Sequence, residues 1–161
     1  MVIVLMGVAG SGKTTVGKLL AHQLRWEFAD GDDYHPAANI EKMRNGIPLT
    51  DADRAPWLVR LRSLIDDWSR TGMNGVLACS ALRAAYRDRF SGGGDVRFVY
   101  LKGSAKLLAE RLQARHDHYM KTGMLESQLA ALEEPEHALV VDVNTTPDAI
   151  VREIRAELGL G

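Results

Sequence analysis

The chain has 161 residues, 46% of them hydrophobic and 25% charged, the size and composition of one globular domain. A net charge of −1 supplies no basic field to hold nucleic acid or an acidic membrane. The single cysteine, Cys79, excludes an internal disulfide framework and a cysteine-based zinc cluster, and its apolar neighbours predict a buried side chain.

The first apolar run, Val2-Ile3-Val4-Leu5-Met6, has strand length. It leads into Gly7-Val8-Ala9-Gly10-Ser11-Gly12-Lys13-Thr14, a full match to the phosphate-binding pattern G-x-x-x-x-G-K-[ST]. Thr15 follows, and Val16, Leu19, Leu20 and Leu24 then mark one helix face. Strand, glycine loop and helix together predict a P-loop. Backbone N–H groups there face an anion, Lys13 reaches the β- and γ-phosphates, and the Thr14 hydroxyl meets Mg²⁺. The N-terminal run has no basic segment before it, and no stretch approaches the roughly 18 apolar residues of a membrane span. A soluble, cytoplasmic protein is expected.

Further strands are predicted at 26–29, 75–79, 96–101 and 138–143, with helical patterns between them. This alternation predicts a parallel sheet covered on both faces, with ligands at the carboxyl ends of the strands. The second strand exits into Asp30-Gly31-Asp32-Asp33-Tyr34-His35-Pro36. In extended chain Asp30 and Asp32 share a side, where they can order Mg²⁺ and accept a proton from a hydroxyl, while Asp33 faces solvent. A short helix is expected over 36–44. A longer one is capped by Thr50 or Asp51 and runs to about Ser69, with Trp57, Leu58, Leu61, Leu64, Ile65 and Trp68 inward. Arg54 is a candidate anion ligand. After the third strand, Arg83 and Arg87 are four apart, which on a helix gives them one face suited to a carboxylate or phosphate. Ser91-Gly92-Gly93-Gly94 reads as a connector. From Arg111 to Lys121 apolar periodicity gives way to mixed charge and rings, which predicts a basic lid over the phosphates at about 115–125.

These markers resemble the small P-loop gluconate kinases (gluconokinases) over nearly the whole chain. The distinctive pieces are Asp30-Gly31-Asp32-x-x-His35-Pro36-x-x-Asn39-x-x-Lys42-Met43 and Gly46-x-Pro48-Leu49-x-Asp51-x-Asp53-Arg54-x-Pro56-Trp57-Leu58. Cys79-Ser80-Ala81-Leu82, Tyr86-Arg87-Asp88, His118-Tyr119-Met120 and Ser127-Gln128 complete the set. The wider relatives look like shikimate kinase and the nucleoside monophosphate kinases.

The resemblance implies one P-loop kinase domain over 1–161, a five-stranded parallel sheet in order 2-3-1-4-5, and a substrate-binding region at about 35–70. It implies transfer of a phosphoryl group from ATP to D-gluconate, with ATP and Mg²⁺ bound, in a homodimer. By similarity, Asp30 and Thr14 serve the metal, and Asp32 meets the reacting hydroxyl. Arg54, Arg83 or Arg87 meets the substrate carboxylate, and His35 and Ser80 meet its hydroxyls. Arg111 and Pro147 flank adenine, and Arg115 is the lid arginine on the phosphates. The chain departs from the pattern at Ala78-Cys79-Ser80, where no aspartate ends the third strand, and at Lys121, where many members have proline. Two rivals fit less well. Shikimate kinase has a glycine triplet where Ser80-Ala81-Leu82 stands, and a nucleotide switch would not need the carboxylate pair beside arginines.

Overall fold

The structure, a computed structural model, describes residues 1–92, 94–114 and 122–161. Five parallel strands form one sheet: β1 (Val2–Met6), β2 (Glu27–Asp30), β3 (Gly75–Ala78), β4 (Val96–Lys102) and β5 (Leu139–Asp142). Their order is β2-β3-β1-β4-β5, as the resemblance implied. The helices are α1 (Lys13–Leu24), α2 (Ala37–Arg44), α3 (Asp51–Arg70), α4 (Ala84–Asp88), α5 (Ala105–Gln113), α6 (Thr122–Ala131) and α7 (Pro147–Glu157).

The central strand shows why this sheet needs two covered faces. All five residues of β1 are buried, and alternate side chains leave it in opposite directions. Ile3 and Leu5 pack with Val16 and Leu20 of α1 and with Ile150, Val151 and Ile154 of α7. Val2, Val4 and Met6 face α3, where Trp57, Leu58, Leu61, Ile65 and Trp68 are buried in the other core. Leu64, grouped with them on sequence, is only partly buried at the margin. Leu61 and Ile65 are 0% and 1% exposed, and each stabilises the fold by about 1.5–3 kcal/mol.

Helix ends follow local chemistry. Thr50 caps α3 by accepting from Asp53 N, while the Asp53 carboxylate accepts from Thr50 N, a reciprocal pair. Ser104 and Thr146 cap α5 and α7 through the hydroxyl alone, accepting from Leu107 N and Ala149 N. Helix α1 stops at Arg25, whose backbone is left-handed (φ 58°). Trp26 N then donates back to Ala21 O at 2.9 Å, a Schellman-type closure. This closure holds Trp26 outside the sheet, so β2 runs 27–30 and Asp30 is its last residue.

The lid expected at 115–125 lies mainly outside the described residues, as do Arg115 and the His118-Tyr119-Met120 piece of the motif set. Among the described residues no helix is long and apolar enough to cross a membrane.

Candidate active site

At the carboxyl ends of β1, β2 and β3 a cleft of about 340 Å³ opens between the glycine loop and α3. The loop supplies Ala9, Gly10, Gly12, Lys13 and Thr14 to its wall. Gly10 and Gly12 sit at φ 85° and 92°, in the region that favours glycine, and a Cβ on Gly10 would lie 2.9 Å from Leu108 O. Lys13 Nζ lies over the loop, donating to Gly7 O at 2.9 Å and Val8 O at 3.1 Å. Ser11 serves the loop through its backbone, as the expectation of N–H groups facing an anion requires. Its side chain is fully buried, and among the described residues its hydroxyl has no hydrogen-bond partner.

The carboxylates come from the exit of β2. Thr14 Oγ1 donates to Asp30 Oδ2 at 2.8 Å, and Asp30 Oδ1 accepts from Asp32 N at 3.0 Å. The chain is not extended here. Residues Gly31–Tyr34 form a 3₁₀ turn with Asp30 as its cap, and that turn brings both Asp30 and Asp32 into the cleft while Asp33 is exposed. Gly31 permits this, because a Cβ there would stand 2.9 Å from Ala78 O. Trp57 Nε1 donates to Gly31 O at 2.7 Å and ties the turn to α3.

Thr14 and Asp30 form a hard oxygen donor set of the kind that suits Mg²⁺, which takes few protein ligands and fills its shell with phosphate and water. Among the described residues no group of three or more His, Cys, Asp or Glu could hold a metal ion. At the end of β3, where an aspartate is lacking, Cys79 is buried and burial pushes its thiol up to about 12.

The far wall carries cations and rings. Arg54 lines the cleft, with Nη1 donating to Tyr86 Oη at 3.3 Å and its guanidinium carbon 5.6 Å from the Tyr86 ring centre. Tyr86 in turn donates to Asp51 Oδ1, a bond that lowers the Asp51 pKa. Arg83 and Ser80 also line the cleft. His35 stacks on Trp57, ring centres 4.3 Å apart and 11° from parallel. Burial first, and the Arg54 charge second, lower its pKa to about 4, so the ring is neutral at pH 7.

Arg87 corrects the expectation. It is 8% exposed and does not line the cleft. Its Nη1 donates to Ala81 O and its Nη2 to Glu133 O, both at 2.8 Å. Arg83 is the extended residue before α4 rather than part of it, so the two arginines do not share a helix face. Arg87 instead holds the turn after β3, where Ala81 takes a left-handed backbone (φ 46°).

A second depression of about 260 Å³ shares Gly10 and Gly12 with the cleft and is lined by Thr15, Arg111 and Pro147. Arg111 Nη2 donates to Val143 O at 2.6 Å. Arg115, the remaining candidate, lies outside the described residues. Two contributors were not singled out for the site from sequence. Trp57 reads as core by periodicity yet also lines the cleft, and Gln128 of α6 lines it and accepts from Ala9 N at 2.7 Å.

The shikimate kinase family model matches residues 9–158. A gluconokinase of Gluconobacter oxydans is 45% identical over 156 residues, covering 94% of this chain and 88% of that protein. The chain belongs to the shikimate kinase family of P-loop kinases and, within it, to the gluconokinases. Solved structures agree. A gluconokinase from Sinorhizobium meliloti 1021 superposes with a TM-score of 0.87 at 44% identity, covering 98% of this chain and 90% of that one. An unliganded sugar kinase from Janibacter sp. HTCC2649 gives 0.92 at 38% identity, covering 99% and 95%. As a kinase with an intact phosphate loop, this gluconokinase family member uses ATP.

Proposed function

We propose that this protein transfers the γ-phosphoryl group of ATP to a hydroxyl of D-gluconate, giving ADP and 6-phospho-D-gluconate. One observation carries the reading beyond the names of its relatives. The cleft opposes a phosphate loop and two carboxylates to two arginines, which is the polarity needed by an anionic polyol. The loop N–H groups and Lys13 hold the β- and γ-phosphates. Arg111 and Pro147 flank the adenine. Asp32 accepts the proton of the attacking hydroxyl, a new P–O bond forms, and the bond to the ADP oxygen breaks. Arg54 or Arg83 takes the substrate carboxylate, and His35 and Ser80 take its hydroxyls. Thr14 and Asp30 would hold Mg²⁺, which would supply charge neutralisation at the phosphates. Arg115, in the lid expected at about 115–125, serves the phosphates, and residues 35–70 carry the acceptor-binding wall. The family resemblance also supports a homodimer in the cytoplasm.

The test is ADP release with Mg-ATP and D-gluconate, other aldonates, shikimate, nucleoside monophosphates or no acceptor. Turnover selective for D-gluconate supports the assignment. Turnover that ignores every acceptor refutes it. Sedimentation of the same sample checks the dimer.

A further inference from the structure

The hydrogen bonds around His35 fix more than its position. Asn39 Nδ2 lies 2.8 Å from Asp53 O and 3.1 Å from His35 Nδ1. A backbone carbonyl can only accept, so the Asn39 atom facing it is the amide nitrogen and not the oxygen. An NH₂ group can only donate, so His35 Nδ1 must present a lone pair. In the neutral ring the remaining proton then sits on Nε2. Nδ1 is turned to Asn39, which leaves Nε2 as the polar ring atom for the cleft that His35 lines.

The supports are themselves anchored. Asn39 is 3% exposed, and Asp53 is held by Lys42 Nζ at 2.8 Å and by the cap pair with Thr50. Trp57 fixes the ring plane by stacking, and its own indole N–H is bound to Gly31 O.

We propose that Asn39 is a positioning residue that fixes His35 as an Nε2–H donor, so that this wall of the cleft reads an oxygen lone pair on the acceptor. The identity of that acceptor rests on the gluconate reading; the tautomer does not. His35 accordingly binds substrate and does not serve as a proton acceptor at neutral pH.

The first test uses the wild-type protein without substrate. Long-range ¹H–¹⁵N NMR of the imidazoles at pH 7 should show a lone-pair-bearing Nδ1 and a protonated Nε2 for His35. An Nδ1–H tautomer or an imidazolium overturns the proposal, whatever the enzyme phosphorylates. The second test is Asn39→Asp. A carboxylate beside Nδ1 accepts rather than donates, so the neutral ring must move its proton to Nδ1 and lose its donor toward the cleft. The KM for D-gluconate should rise roughly five- to tenfold at pH 8, the value of one lost hydrogen bond, with the KM for ATP unchanged. It should fall again as the pH drops through the ring's new pKa, because an imidazolium carries a proton on both nitrogens. The charged groups around this ring are Arg54 and Asp53 of α3, Lys42 of α2, and Asp30 and Asp32 at the β2 exit. A folded Asn39→Asp protein with a wild-type, pH-independent KM overturns the proposal. Failure of wild-type turnover on D-gluconate would instead remove the substrate assignment and leave the NMR test standing.

Discussion

Arg87→Met separates a packing arginine from a substrate-binding one. The variant keeps most of the aliphatic bulk and removes both guanidinium bonds, to Ala81 O and Glu133 O. Hydrogen bonds from a charged donor contribute about 1.5–3 kcal/mol each, and the buried Ala81 carbonyl and the part-buried Glu133 carbonyl both lose their donor. Partial re-pairing with water reduces the total, so a loss of about 2–4 kcal/mol is expected. For a chain of this size each kcal/mol lowers Tm by about 2–4 °C, which predicts a drop of roughly 4–16 °C. Thermal unfolding followed by circular dichroism measures it, and initial rates at 25 °C measure KM for D-gluconate, which should stay near wild type. A KM raised about tenfold or more, the signature of about 1.4 kcal/mol of lost binding, with Tm unchanged, would show that the side chain reaches the substrate and that its buried bonds are not what matters.

Three further outcomes are expected. Asp32→Asn should lower kcat by roughly 10²–10⁴ with little change in KM for ATP, measured by ADP release; a kcat near wild type removes Asp32 as proton acceptor. Because the folded His35 pKa is about 4, below its ordinary value of 6.5, the unfolded chain takes up a proton between these values while the fold does not. Stability is therefore lost as pH falls through that window, and urea midpoints of wild type should decline more steeply than those of His35→Gln; parallel curves contradict it. Thr50→Ala should cost about 1 kcal/mol through loss of the α3 cap, read from urea unfolding, and an unchanged midpoint would mean that the cap pair contributes nothing.

What could be read without coordinates was local. The phosphate loop, the cap at Thr50, the α3 stripe and the strand alternation each depend on residues a few positions apart. Their backbone preferences and periodicities operate along the chain itself. Strand order came from the family resemblance, since no spacing in one sequence states which strands pair. Asp30 and Asp32 both line the cleft, but a 3₁₀ turn capped by Asp30, rather than extended alternation, brings them there.

What only the tertiary structure decided depends on partners far apart in sequence. Arg83 and Arg87 are alike by spacing, yet Glu133 O, 46 residues on, meets Arg87 and draws it out of the cleft while Arg83 lines it. Trp57 belongs to a core stripe by period and becomes a cleft wall because the β2 exit folds onto it. The proton on His35 is set by Asp53, 14 residues beyond Asn39, whose carbonyl dictates which amide atom faces the ring. Sequence specified the groups and their local backbone. The three-dimensional closure of α3 over the strand ends determined which of them face ligand and which satisfy buried polar atoms.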